Sequence, residues 1–147
     1  MTAREAEIIE LIRKEVKPAL GCTEPIAVAL AVAKAMELIE EGCSPASCWR
    51  SGKDYSLKIE VSGNILKNGM GVGIPGTGMV GLHIASALGA VCGKSSYGLE
   101  VLHDLDEEAI SCAKAMTEDG RVNVRLADTS HKLYDKASEI CKDGHTP

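Results

Sequence analysis

Phenylalanine is missing from this chain, and one Trp and three Tyr are its only aromatic residues. A core must therefore be filled by aliphatic side chains and alanine. Nothing interleaves aromatic with basic residues to stack nucleic-acid bases. Positive charge is also short: 16 Lys and Arg stand against 21 Asp and Glu, a formal charge of −5. That balance argues against nucleic acid as a main partner. Long apolar runs are missing too. Ile26 to Ala33 reads IAVALAVA, far short of a membrane span, and Lys34, Glu37 and Glu40 follow it. The first ten residues are charged and mixed, which is not a signal peptide. No membrane partner and a cytoplasmic location are expected. Of the six cysteines (Cys22, Cys43, Cys48, Cys92, Cys112, Cys141), none forms a CxxC pair. Reduced thiols are expected in a chain of 147 residues, long enough to bury a core without disulfides.

What is present reads as a single domain over residues 1–147. Ala6, Ile9, Ile12 and Val16 recur at helical spacing and predict an amphipathic first helix over residues 3–17, ended by Pro18. A second helix is predicted from Pro25 to Glu41, with Thr23 as N-cap and Gly42 as stop. Tyr55, Leu57, Ile59 and Val61 alternate with polar residues and predict a half-buried strand. A glycine-dense passage, Gly63 to Gly81, leads into a small-residue helix from about Gly78 to Val91. Gly98 to Leu102 fits a short strand or a helix start. Further on come a helix over Asp104 to Thr117, a strand over Val122, Val124 and Leu126, and a helix over residues 130–141. The mixture lacks a βαβ rhythm, so the expected fold is α+β, helices packed on a small mixed or antiparallel sheet.

The second helix is apolar all round at its start, which requires burial. Gly21-Cys22-Thr23 precedes it, where first-turn amides and the helix dipole favour negative charge. A cysteine held there is expected to lose its proton more easily, and the thiolate is the form that attacks or binds metal. The alternative is a tight turn with a small, buried side chain. In the glycine passage, Gly71-Gly73-Gly76 and Gly76-Gly78-Gly81 both fit G-x-G-x-x-G. A dinucleotide-binding reading is weakened because Gly69, Gly71, Gly73 and Pro75 occupy the place of the strand that should feed the loop. Amides of Gly76, Thr77 and Gly78 suit a carboxylate instead; close helix packing through Gly78, Gly81 and Gly89 is the other explanation.

Two stretches, KPALGCTEPIAVALA and SGNILKNGMGVGIPGTGMVGLHIASALGA, together resemble the N-terminal part of the L-cysteine desulfidase family of serine dehydratase-like proteins. The resemblance covers about residues 5–125. It implies the fold of that family's N-terminal domain and β-elimination from L-cysteine, or L-serine, to pyruvate and ammonia with release of sulfide or water. It implies a four-iron cluster in the full assembly, held by three cysteines of which Cys22 is the first. Glu24 and Lys67 are implied as the catalytic polar groups, and Thr23, Asn68, Gly76, Thr77 and Gly78 as the substrate-binding ones. Family members are longer, and the other two cluster ligands lie in a portion this chain lacks, so no complete cluster is expected here. Cys43, Cys48, Cys92, Cys112 and Cys141 fall outside the ligand motifs.

The expected partners are therefore a missing C-terminal domain or second subunit and a small amino acid. Apolar surface on the second helix and on the helix after Gly78 is expected to drive self-association into a homo-oligomer. The competing readings are a non-catalytic amino-acid-binding module and, behind it, a dinucleotide-binding domain.

Overall fold

The computed structural model describes residues 1–42 and 55–141. Cys43 and Cys48, the loop expected between the second helix and the first strand, and the polar tail after Cys141 lie outside the described residues.

Helix α1 (Ala3–Glu15) opens on a capping box: the Glu5 amide donates to Thr2 Oγ1, and the Thr2 amide donates to the Glu5 carboxylate. Helix α2 (Thr23–Gly42) runs through the middle of the fold, with Ile26, Val28, Ala29, Val32, Ala33 and Met36 buried. Its cap position is held by Cys22, whose carbonyl accepts from the Ile26 amide, one residue ahead of the predicted Thr23. Strand β1 (Tyr55–Val61) buries Tyr55, Leu57, Ile59 and Val61 and leaves Ser56, Lys58 and Glu60 half-buried, the predicted alternation.

Helix α3 (Gly63–Gly69), strands β2 (Gly73–Ile74) and β3 (Met79–Val80), helix α4 (Leu82–Cys92), a 3-10 segment (Ser95–Glu100), helix α5 (Glu107–Glu118) and strands β4 (Val122–Leu126) and β5 (Asp135–Cys141) follow. Strand β1 is central, parallel to β4 and antiparallel to β5, so the sheet is mixed and the fold is α+β. Strands β2 and β3 form a separate short hairpin around Pro75–Gly78.

Helix α4 crosses α2 with almost no separation between backbones. A Cβ at Gly89 would stand inside contact distance of the Ala29 carbonyl oxygen and 3.0 Å from the Ala29 Cα. Glycine is needed there because the second helix occupies the space a side chain would fill. The buried Ser86 hydroxyl is satisfied within the helix, donating to the Leu82 carbonyl at 2.6 Å.

One expectation needs correction. Residues 130–141 are not a helix: β5 occupies residues 135–141, paired with β1. Its alternation is hidden because Asp135, Ala137 and Glu139, opposite Val61, Ile59 and Leu57, are not a hydrophobic set. The glycine passage holds α3 and the β2–β3 hairpin. Helices α2 and α4 cover each other and α5 covers α4, so most of their apolar surface is used within the fold, although Leu38 on α2 stays exposed. The densest group of exposed large apolar side chains, Ile8, Ile9, Leu11 and Ile12, lies on α1.

Candidate functional site

The start of α2 gathers the sequence's candidate residues. Gly21, at φ 119°, turns the chain so that its α-carbon faces Pro75; a Cβ there would sit 3.3 Å from the proline Cδ. The cysteine turn thus lies against the hairpin turn Pro75–Gly78. The Leu20 amide donates to the Leu99 carbonyl at 3.4 Å, tying the same turn to the 3-10 segment. That segment is held on α2 by Glu37, whose carboxylate accepts from the Ser95 amide at 2.8 Å and the Ser95 hydroxyl at 2.5 Å. On the hairpin's other side, Leu105 packs near Gly76.

Cys22 is exposed. Its thiol donates to Glu24 Oε2 at 2.9 Å, Thr23 Oγ1 donates to the same oxygen at 3.4 Å, and Asn68 Nδ2 on α3 donates to Oε1 at 3.4 Å. The hydrogen bond to Glu24 raises the Cys22 pKa above its ordinary 9.0, with smaller contributions from burial and from the carboxylate's charge; backbone amides pull the other way. The sequence expectation of a readily ionised thiol is corrected here: the neighbouring carboxylate outweighs the helix terminus. The buried-thiol alternative fails too, since the side chain faces solvent. Glu24 is held below the usual carboxylate range, first by the thiol's hydrogen bond and then by backbone and Asn68 donors. At neutral pH the pair is a thiol resting on a carboxylate.

The hairpin turn is divided in its chemistry. Thr77 is buried; its hydroxyl donates to the Ile74 carbonyl at 2.7 Å and accepts from the Met79 amide at 3.0 Å. Its own amide donates to Ile74. These bonds fix the turn and leave the Gly76 and Gly78 amides, both at positive φ, as the groups with no bond among the described residues. Lys67 is exposed on α3 and makes no hydrogen bond or ion pair among the described residues. Cys22, Thr23, Glu24 and Asn68 therefore form one constellation, and Gly76, Thr77 and Gly78 lie in the turn against which it packs. Pro75, Leu99 and Leu105 escaped the sequence reading: their roles come from distant segments meeting, which spacing does not report.

A four-iron cluster with three protein ligands does not fit these residues. The site offers one thiol and one carboxylate, and among the described residues no group of three or more His, Cys, Asp or Glu gathers to hold a metal ion. Cys92 directs its thiol to the Leu88 carbonyl on α4, and Cys112 lies on α5. Cys22 joins such a cluster only with further ligands from outside the described residues.

Comparison with known proteins overturns the family assignment. The chain is 48% identical over 150 aligned residues to a UPF0597 protein of Bacteroides fragilis, covering 95% of this chain and 32% of the relative. It is 50% identical over 133 residues to one of Parabacteroides distasonis, covering 90% and 28%. It is 47% identical over 147 residues to one of Shewanella pealeana, covering 94% and 32%. These relatives carry a family number and no activity, not the name of an iron–sulfur serine dehydratase-like family; the resemblance drawn from the two motif stretches is corrected accordingly. The chain spans about a third of the length of the curated relatives it matches. No family model matches it. No solved structure matches it. Among the described residues, no helix is long and apolar enough to cross a membrane.

Proposed function

We propose that this chain supplies part of the site of a lyase that removes the β-substituent of a small amino acid, L-cysteine or L-serine. The products are ammonia, pyruvate and sulfide or water, and polypeptide beyond these 147 residues completes the site. The observation that carries this reading is the thiol–carboxylate pair Cys22–Glu24, steadied by Asn68 and set against a turn with two unengaged amides.

In such a reaction the base takes the α-proton, the electron pair forms the α–β double bond, and the β-sulfur or oxygen leaves with a proton. The resulting aminoacrylate tautomerises to the imine, and water hydrolyses it to pyruvate and ammonia. Glu24 is ionised at neutral pH and serves as the proton acceptor. The amides of Gly76 and Gly78 hold the substrate carboxylate, as paired amides at positive φ do. Cys22 donates its thiol hydrogen bond to Glu24 Oε2, which keeps the carboxylate ionised and oriented until substrate binds.

The test supplies this chain with the remaining two thirds of a UPF0597 relative under anaerobic conditions, with L-cysteine or L-serine, and follows pyruvate and sulfide. Turnover that is lost in both Cys22→Ala and Glu24→Gln supports the reading. No pyruvate from either amino acid, or turnover indifferent to Glu24→Gln, rejects it.

A second reading, an amino-acid-binding module without chemistry, is favoured by the Gly76 and Gly78 amides alone. It requires that L-serine raise the melting temperature of the isolated chain equally in the parent and in Cys22→Ala.

A further inference from the structure

Helix α1 buries none of its residues. Ile8, Leu11, Ile12 and Val16 are 48%, 59%, 52% and 68% exposed, and Ile9 is 39% exposed. At 100° per residue, Ile8, Ile12, Val16 and Ile9 fall on one face with Leu11 at its border, a stripe as wide as core-facing helices carry. An isolated helix of this length is marginal in water, and most helical stability in proteins comes from packing such a stripe. The stripe therefore calls for an occupant.

The charges beside the stripe say which. Residues 3–10 carry Arg4 against Glu5, Glu7 and Glu10, whereas residues 11–15 carry Arg13 and Lys14 against Glu15, with Arg13 also 3.6 Å from Glu10. The first half of the helix is acidic and the second basic. A helix so divided is complementary to itself when reversed: each acidic half meets a basic half, and the apolar stripes face each other about a two-fold axis. Parallel pairing sets like charge on like charge.

We infer that α1 is a self-association surface, on which a second copy of this chain packs its own α1 antiparallel through Ile8, Ile9, Leu11, Ile12 and Val16. The inference is independent of the chemistry proposed for Cys22 and Glu24.

The test is sedimentation of the purified 147-residue chain over a range of concentrations, with two charge-reversed variants at exposed positions outside the capping box. Glu7→Lys with Glu10→Lys makes the helix basic throughout; Arg13→Glu with Lys14→Glu makes it acidic. The parent is expected to dimerise, more weakly as salt rises. Each variant alone dissociates roughly tenfold more easily, since several like-charge contacts replace favourable ones. An equal mixture of the two restores dimer, a result that damage to the fold does not produce, and circular dichroism checks that each variant stays folded. A monomeric parent at every concentration assigns the stripe to another occupant, such as the further polypeptide of the longer relatives, and overturns the inference. So does a dimer that both variants leave intact, or a mixture that does not recover it.

Discussion

Replacing Gly89 by alanine tests the crossing on which the site is built. The α2 axis that carries Cys22 and Glu24 is positioned by α4, and the two backbones touch at Ala29 and Gly89. Alanine in a helix interior is favoured over glycine by about 1 kcal/mol. Against this, an overpacked methyl group in a dense core costs typically about 1–3 kcal/mol. Here the obstacle is the Ala29 carbonyl and α-carbon rather than the end of a flexible side chain, so the upper end of that range applies. Relief requires the helices to separate, which loosens the contacts of Val28, Val32, Met36 and Leu88 together. The net expectation is a loss of about 2 kcal/mol, a fall in melting temperature of roughly 4–8 °C for a chain of this size. Gly71→Ala is the control: a Cβ there meets nothing within 4 Å, and the change is expected to stay within about 0.5 kcal/mol. Urea unfolding of both variants beside the parent gives the answer. A Gly89→Ala protein as stable as the parent would refute the close crossing.

Other outcomes follow from named groups. Glu24→Gln removes the main cause of the raised Cys22 pKa, so the thiol should ionise at lower pH. Iodoacetamide labelling of Cys22 at pH 8 should then be faster than in the parent; an unchanged or slower rate contradicts the pairing. Burial raises the carboxyl of half-buried Asp135 from 3.8 to about 7. The folded chain binds this proton more tightly than the unfolded one, so the group's contribution is fully present below pH 3.8 and is lost as pH rises through 7. Asp135→Asn should therefore gain stability over the parent as pH rises, by about 2–3 kcal/mol between pH 5 and pH 8. A gain that does not grow with pH argues against a buried carboxyl. Glu37→Ala removes the acceptor of two Ser95 hydrogen bonds and should cost about 1–3 kcal/mol. Amide exchange confined to residues 95–100 should rise with it; unchanged protection there would show that other contacts hold the segment.

Several features were legible because local chemistry decides them. The alternation of Tyr55, Leu57, Ile59 and Val61 gave β1 to the residue, and Gly42 ends α2 where a helix stop is expected. The second helix had to be buried because its first turns are apolar on every side, and it is. Cys22, Thr23, Glu24 and Asn68 were singled out from motif stretches, and they do meet around one carboxylate. The same reading attached those stretches to an iron–sulfur family, and the names of the relatives overturn that step.

By itself, the sequence determined which segments are helical or extended wherever side-chain periodicity is strong, and the α+β class that follows. Tertiary structure decided the rest. It made residues 135–141 a strand, because pairing with β1 satisfies their backbone although Asp135 and Glu139 hide the apolar pattern. It also set the Cys22 proton, because a thiol's acidity depends on the charge beside it, and only the folded turn brings the Glu24 carboxylate to 2.9 Å.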